Sequence, residues 1–352
     1  MYILAINPGS TSTKIAIYND EQELSRINIQ HTSEELSKFR EVTDQYEFRK
    51  KLVMDELQKL GGDIQLSAVI GRGSLAKPVE GGVYKVTPRM IELTRGCAHK
   101  HPCDLGGIMA FEIAREIPGC KSFTADPGMV DEMNPWARIS GSPELPRVCL
   151  WHALNQRAIA RRFAREQGCR YEDLNLIICH LGGGISLAAH DHGRAVDANN
   201  ALDGEGPFGP ERTGSLPVAD LVRLCFSGKY TERELLQHIQ IKGGVTAYLG
   251  TNNMIEVLKR IKEGDEEAKL ITDAMIYDTA KFIASYSPVL YGKIDAILLT
   301  GGLAKSEYIT EGIRQRVGFL APVHVFPGED EMEALAMNAL MALRHEVEIK
   351  EY

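Results

Sequence analysis

MYILAINPGSTSTKIAIYND, residues 1–20, reads as strand, tight turn, strand. Residues 2–6 are apolar and rich in β-formers, Asn7-Pro8-Gly9-Ser10-Thr11-Ser12-Thr13 is turn-forming and rich in hydroxyls, and residues 14–18 make a second strand closed by Asn19-Asp20. The same pattern returns in LNLIICHLGGGISLAAHD, residues 174–191. There residues 176–179 are apolar, His180-Leu181-Gly182-Gly183-Gly184 is the turn, and residues 185–189 are apolar again. Laying Asn7 on His180 gives an offset of 173, close to half of the 352 residues. Few identities survive the superposition, so the repeat is one of pattern, and it predicts a duplication of two related domains. Glycine-rich hairpins also recur by chance, and that reading stays open.

The rest of the chain fits this frame. Residues 34–60 are charged and helical in period, residues 66–71 form a short buried strand, and residues 109–116 and 152–167 read as helices. Residues 199–217, NNALDGEGPFGPERTGSLP, hold too many glycines and prolines for a regular element, and loops of that length are often functional. Residues 264–291 are a long helix or helix pair, residues 294–299 an apolar strand running into Thr300-Gly301-Gly302-Leu303-Ala304, and residues 329–344 a final helix with an acidic start. Strands alternating with helices give an α/β class.

Composition narrows the function. A hydrophobic content of 44% and a charged content of 25% are those of a globular protein, and the length suits two domains. With a net charge of −8 and no run of lysine and arginine, nucleic acid is not an expected partner. Seven scattered cysteines without a CxxC pair read as reduced thiols. MYILAINPG lacks a basic leader, and no apolar run approaches the ~20 residues that span a bilayer, so no membrane association and a cytoplasmic location are expected.

Three glycine turns, NPGSTST, HLGGGIS and TGGLA, each follow an apolar strand. Glycine lets backbone N–H groups approach phosphate oxygens, hydroxyls add donors, and Lys14 adds charge. Neither the Walker loop nor the dinucleotide fingerprint is present. The order of the three turns resembles the actin/hexokinase/acetate-kinase superfamily, and Asn7 with Gly9, Ser10, Thr11, Ser12 and Lys14 resembles its acetate-kinase branch. NPGSTSTK, GRGSLAKP, DEMNPWARISG, HALNQRAIARR, HLGGGISLAAH and NALDGEGPFGPERTG are similar, in order and over the full length, to the butyrate-kinase family.

That resemblance implies two duplicated actin-like ATPase (ribonuclease H-like) domains with an ATP cleft between them: an N-terminal domain over 1–173 on the acyl-substrate side, a C-terminal nucleotide-binding domain over 174–328, and a last helix, about 329–352, packing back on the first. It implies Mg²⁺-dependent, reversible phosphoryl transfer between ATP and a short-chain fatty acid, giving acyl phosphate and ADP, in a homo-oligomer. Acetate or propionate as acceptor, a sugar-kinase chemistry, and a non-catalytic ATP-clasping protein are the alternatives; Asn7 in place of an opening aspartate and the Arg72/Arg212 pair argue against the sugar kinase, and the PERTG loop and strand-end Arg72 have no evident use in the non-catalytic protein.

A carboxylate acceptor is already anionic and needs cations to bring two anions together rather than a base. The resemblance assigns that work to Arg72 at the end of a buried strand and Arg212 in the PERTG loop, with Asp126 of FTADPGMV as a supporting carboxylate and His152 of LWHALNQ as a hydrogen-bond donor to the transition state. The nucleotide would meet Asn7, Gly9, Ser10, Ser12, Lys14, His180, Gly182, Gly183, Gly184, Gly301 and Gly302. Asn7 and Glu331 would serve Mg²⁺, with Asp330 and Glu333 as rival carboxylates. Each residue also has an ordinary reading: a surface ion pair for an arginine, an Asp-Pro turn for Asp126, a structural histidine, a helix start that favours acidic residues whatever they bind. His101-Pro102-Cys103-Asp104 departs from the HASN expected in that family, and leaves preferred chain length and branching open.

Overall fold

The computed structural model describes residues 1–59, 65–73, 77–97, 101–329 and 331–351. The middle of GRGSLAKP, His99-Lys100 and Asp330 lie outside them. The strands in chain order are β1 (Tyr2–Pro8), β2 (Ser12–Asn19), β3 (Gln22–Gln30), β4 (Leu66–Arg72), β5 (Val83–Lys85), β6 (Lys121–Ala125), β7 (Asn175–Leu181), β8 (Ile185–Asp191), β9 (Arg194–Ala198), β10 (Ala296–Gly301), β11 (Val323–Pro327) and β12 (Ile349–Glu351). They form two sheets, β12-β5-β6-β4-β1-β2-β3 and β11-β10-β7-β8-β9.

The chain divides into two compact units. The first comprises residues 1–131, 153–155 and 330–352, the second residues 132–152 and 156–329. The division expected at 173 therefore falls earlier. The helix Ala153–Glu166 is the reason: its Ala160, Phe163 and Ala164 pack in one cluster with Leu176, Ile178, Leu298 and Phe326 of the second sheet.

In the first unit β1 pairs antiparallel with β2 and parallel with β4, β2 pairs antiparallel with β3, and β4 pairs parallel with β6. β3 was not anticipated, because QELSRINIQ is half exposed and carries charge on its open face. The core over β1 and β2 gathers Leu4, Ile6, Ile15 and Ile17 against Val53, Met90, Leu105 and Met109. The helix Tyr46–Lys59 accounts for the charged segment, and the helix Asp104–Ala114 starts five residues before the expected position. Gly71 and Gly106 explain how that helix meets β4. A Cβ on Gly71 would lie 1.9 Å from the Gly106 carbonyl oxygen, and one on Gly106 2.3 Å from that of Arg72. The last helix, Glu331–Leu343, buries Met332, Leu335, Ala339 and Leu340 in the same unit.

In the second unit β7 pairs antiparallel with β8 and parallel with β10, β8 pairs antiparallel with β9, and β10 pairs parallel with β11. Strand order and sense thus match β6-β4-β1-β2-β3 of the first sheet. Both faces of β7 and β10 are covered, which is why LIICHL and AILLTG read as continuous apolar runs. Residues 199–217 carry no helix or strand, as their glycines and prolines require. Among the described residues no helix is long and apolar enough to cross a membrane.

Candidate active site

The first unit places its candidates where β1, β4 and the last helix converge. Asn7 lies near the end of β1, 6% exposed, opposite Lys14 of β2. Its amide Nδ2 donates to Glu331 Oε2 across 324 residues of chain. Arg72, the last residue of β4, donates from Nη1 to the same carboxylate at 2.9 Å. Glu331 stands in the first turn of its helix, where the dipole favours a carboxylate. Three residues separated in sequence are thus one hydrogen-bonded cluster. Cys103 lies within electrostatic reach of Arg72 and Glu331, and burial pushes its thiol up to about 12, so it is a neutral wall rather than a nucleophile.

Asp126 follows β6 with φ of +40°, a conformation that costs an L-residue about 1 kcal/mol or more. Gly82 holds it there. The Asp126 N–H donates to the Gly82 carbonyl at 3.1 Å, and the Gly82 N–H donates to Asp126 Oδ1 at 2.8 Å. The carboxylate is 1% exposed.

The first turn is Gly9-Ser10-Thr11, closed by the Gly9 N–H donating to the Ser12 carbonyl at 2.7 Å. Ser10 and Lys14 are exposed. A residue that sequence reasoning missed lies beneath them. Arg49, from the helix Tyr46–Lys59, is fully buried and donates to the carbonyls of Gly9 (2.8 Å), Ser12 (3.1 Å) and Ser10 (3.4 Å), to Thr13 Oγ1 and to Gln45 Oε1. Among the described residues no carboxylate pairs with it, and burial pulls its pKa down to about 10. Its charge rests on the carbonyl dipoles of the turn. Nothing in EFRKKL marks Arg49 apart from its neighbours; only the helical phase against an unknown partner would.

In the second unit His180 is a strand residue, not the first of the turn as expected; β7 runs on to Leu181. The turn proper is Gly182-Gly183-Gly184, closed by Gly182 N–H to the Gly184 carbonyl at 3.3 Å. His180 is wholly buried, and its Nε2 lies 2.9 Å from Glu329 Oε1, a contact not aligned as a hydrogen bond. The His152 ring stacks on it at 3.9 Å between centroids and 9° between planes. Arg212 lies across Gly184, where a Cβ would come within 2.3 Å of Nη1. The guanidinium donates to the Ala201 carbonyl at 3.1 Å; its Nε is buried without a partner, and burial lowers its pKa. Among the described residues no carboxylate is in salt-bridge contact with it. A buried, under-bonded guanidinium beside a glycine turn has the chemistry to take an anion.

Gly301 has φ of +92° and touches β7, since a Cβ there would lie 2.4 Å from the Leu181 carbonyl oxygen. Gly302 lines a groove of about 1330 Å³ with Met254, Ile255, Ile276, Leu303 and Tyr308, and with Lys259 and Arg316 at its polar part. Apart from Gly302 and Leu303 of the TGGLA turn, these residues were not singled out from sequence. Met254 and Ile255 belong to an amphipathic helix whose period says only that one face is covered.

Residues 150–323 match the acetokinase family. The chain is 57% identical, over its full length and that of its relative, to a protein of Bacteroides thetaiotaomicron described as "probable butyrate kinase". It is 50% identical over 99% of both chains to butyrate kinase 2 of Clostridium acetobutylicum. Its fold matches a crystal structure of Porphyromonas gingivalis acetate kinase with a TM-score of 0.81 over 97% of this chain and 99% of that one, at 20% identity. The chain belongs to the acetokinase family. Within that family it is a close relative of the butyrate kinases.

Proposed function

We propose that this protein is a butyrate kinase: a phosphotransferase with a carboxyl acceptor that passes a phosphoryl group reversibly between ATP and butyrate or a related short-chain fatty acid. The observation that carries the reading is identity above half across the whole length of a protein described as a butyrate kinase. The geometry accords with it. Phosphoryl transfer to a carboxylate needs positioning and cations, and Arg72 and Arg212 are the arginines that strand end and glycine turn present.

Each residue then has a task. Arg72, steadied by Glu331, binds the acid. Arg212 meets the transferring phosphoryl, and its lost hydration is recovered when the anion arrives. His152 donates a hydrogen bond to the same group, and Asp126 supports the arrangement from its strained position. The turn of Gly9, Ser10 and Ser12 with Lys14, and the turn of Gly182, Gly183 and Gly184 beside His180, take the phosphates. Gly301 and Gly302 with the groove take the nucleoside. Asn7 and Glu331 fit Mg²⁺, because amide and carboxylate oxygens are the hard donors it prefers, and it keeps most of its waters. Bound there, the ion would neutralise charge on the phosphates. Glu331 is preferred to the rival carboxylates Glu333 and Asp330 because Asn7 and Arg72, residues of the proposed site, both engage it.

The finer fold reading is also proposed: two related actin-like, ribonuclease H-like domains, acyl side first and nucleotide side second, clasping ATP. The shared strand order and sense of the two sheets support descent from one unit. A cytoplasmic location accords with seven free cysteines. A homo-oligomer accords with the helices Val218–Cys225 and Glu232–Gln240, which bury none of their residues while Val218 and Phe226 stand exposed.

The test is acyl-phosphate formation trapped with hydroxylamine, using ATP, Mg²⁺ and acids from formate to hexanoate with branched C4 and C5 acids. A maximum at C4–C5 is expected. A maximum at acetate or propionate would move the protein to the neighbouring activity, and no product with any acid would remove the reading.

A further inference from the structure

A continuous hydrogen-bonded chain runs through the interior of the second unit, from Tyr171 to His152, and its polarity follows from the partners along it. The fixed point is a backbone carbonyl. Gln156 approaches the Ser186 carbonyl oxygen at 3.2 Å and Ser186 Oγ at 3.0 Å with the same terminal atom. A carbonyl oxygen only accepts, so that atom of Gln156 must be the amide nitrogen. Gln156 Oε1 therefore faces the other way, 3.2 Å from His190 Nε2, which must carry hydrogen. His190 Nδ1 then takes the hydroxyl hydrogen of Tyr171 at 2.6 Å. Burial and the nearby Arg157 charge bring the His190 pKa down to about 3, which keeps this ring neutral.

The other end follows by elimination. Ser186 Oγ accepts from Gln156 Nε2, and also from the His152 backbone N–H at 3.3 Å. The hydroxyl has one hydrogen left to give. The remaining partner, 2.8 Å away, is His152 Nδ1. Nδ1 thus accepts, and a neutral His152 carries its proton on Nε2. The ring plane is fixed as well, by the parallel His180 ring at 3.9 Å.

We infer that Ser186 and Gln156 are positioning residues that hold His152 as the Nε2–H tautomer, so that its distal nitrogen is a neutral hydrogen-bond donor. Such a donor suits an anionic phosphoryl group without requiring a cationic histidine, whose charge would have to be created on a ring stacked against another imidazole. The chain beyond Gln156 explains why two further polar residues, His190 and Tyr171, are buried where apolar ones would pack: they lock the amide that locks the hydroxyl. This inference rests on the kinase reading for the use made of the donor, but not for the tautomer itself.

The experiment is ¹⁵N spectroscopy of the full chain labelled at histidine, with the His152 signals assigned by their loss in His152→Asn. The expected pattern is an imine-type Nδ1 and a pyrrole-type Nε2 at pH 8. A protonated Nδ1 overturns the proposal, whatever the enzyme does. Ser186→Ala should mix the two tautomers and lower kcat about tenfold, the worth of one hydrogen bond, with the KM for the fatty acid unchanged. Ser186→Thr, which keeps the hydroxyl, should restore both. An unaltered tautomer in Ser186→Ala also overturns the proposal. If that variant does not fold, the wild-type spectrum still decides. The expected spectrum in a protein that makes no acyl phosphate would sink the kinase reading and leave this one standing.

Discussion

The turn after β1 and the turn after β7 occupy equivalent places in sheets of the same strand order, yet an arginine meets each in a different way. Under the first, Arg49 collects carbonyls from Gly9, Ser10 and Ser12 and stays out of solvent. Over the second, Arg212 lies across Gly184. The glycines differ accordingly. A Cβ on Gly9 would meet nothing nearer than 3.5 Å, whereas one on Gly184 would run into a guanidinium. Strand topology decides where a turn sits; which residues brace it is decided separately in each unit. One arginine serves the turn itself, and the other keeps a buried donor, Nε, unused.

The strongest way to break this contrast is Arg212→Ala. We expect kcat to fall by about 10²–10³, as when an oxyanion donor is removed, with ADP affinity within twofold. Near-normal turnover in steady-state assays would take Arg212 out of the site. Arg49→Met is expected to act on stability instead. Carbonyls that lose a buried donor should cost about 2–3 kcal/mol, read as a lower urea midpoint. An unchanged midpoint would show that the first turn holds itself.

The glycines sharpen the contrast further. Gly184→Ala should displace the Arg212 guanidinium and reduce kcat about tenfold while the protein stays folded, and Gly9→Ala should stay within about 0.5 kcal/mol of the parent stability. Equal effects at the two positions would mean that the turns are braced alike after all. A pH-dependent effect concerns His31, buried beside Arg49 and bonded to Thr13 Oγ1 at 2.8 Å. Burial, with the Arg49 charge, lowers its pKa to about 4. The unfolded chain, with an ordinary histidine near 6.5, then binds more protons between those values. Stability should fall as pH drops from about 6.5 to 4, by up to about 1.4 kcal/mol per pH unit. His31→Gln should remove that portion of the slope in urea titrations across the window, while the part due to His190, lowered to about 3, remains.

Much of this was legible in the residues, for reasons that can be stated. β1, β7 and β10 are covered on both faces, so their apolar runs stand out, and the glycine turns mark where each ends. Arg72 and Arg212 were singled out through the family resemblance, with each placed beside glycine at the end of a strand or in a proline-rich loop. What sequence could not supply was pairing at a distance. Nothing local to Glu331 says that Asn7 and Arg72 reach it. Nothing in HALNQ says that Gln156 closes a chain from Tyr171 to His152. β3 was hidden because an open face lets charge replace the alternation that would have revealed it. Arg49 was hidden because a charged helix offers many arginines and lysines, and which one turns inward is a property of the surface it meets.

Gly71 and Gly106 bear on how such an enzyme can diverge. The strand that delivers Arg72 and the helix behind it touch through bare backbone, so any side chain at either position would force the two apart. Selection for a longer or shorter acid has no alleles to offer at these two codons, singly or in either order. Variation has to enter through side chains that can change volume while strand and helix stay together, and Cys103, buried just ahead of the helix and within the field of Arg72, is one such position. The backbone contact therefore acts as a ratchet on ancestry: it preserves the arginine's aim while leaving the lining beside it open to trial.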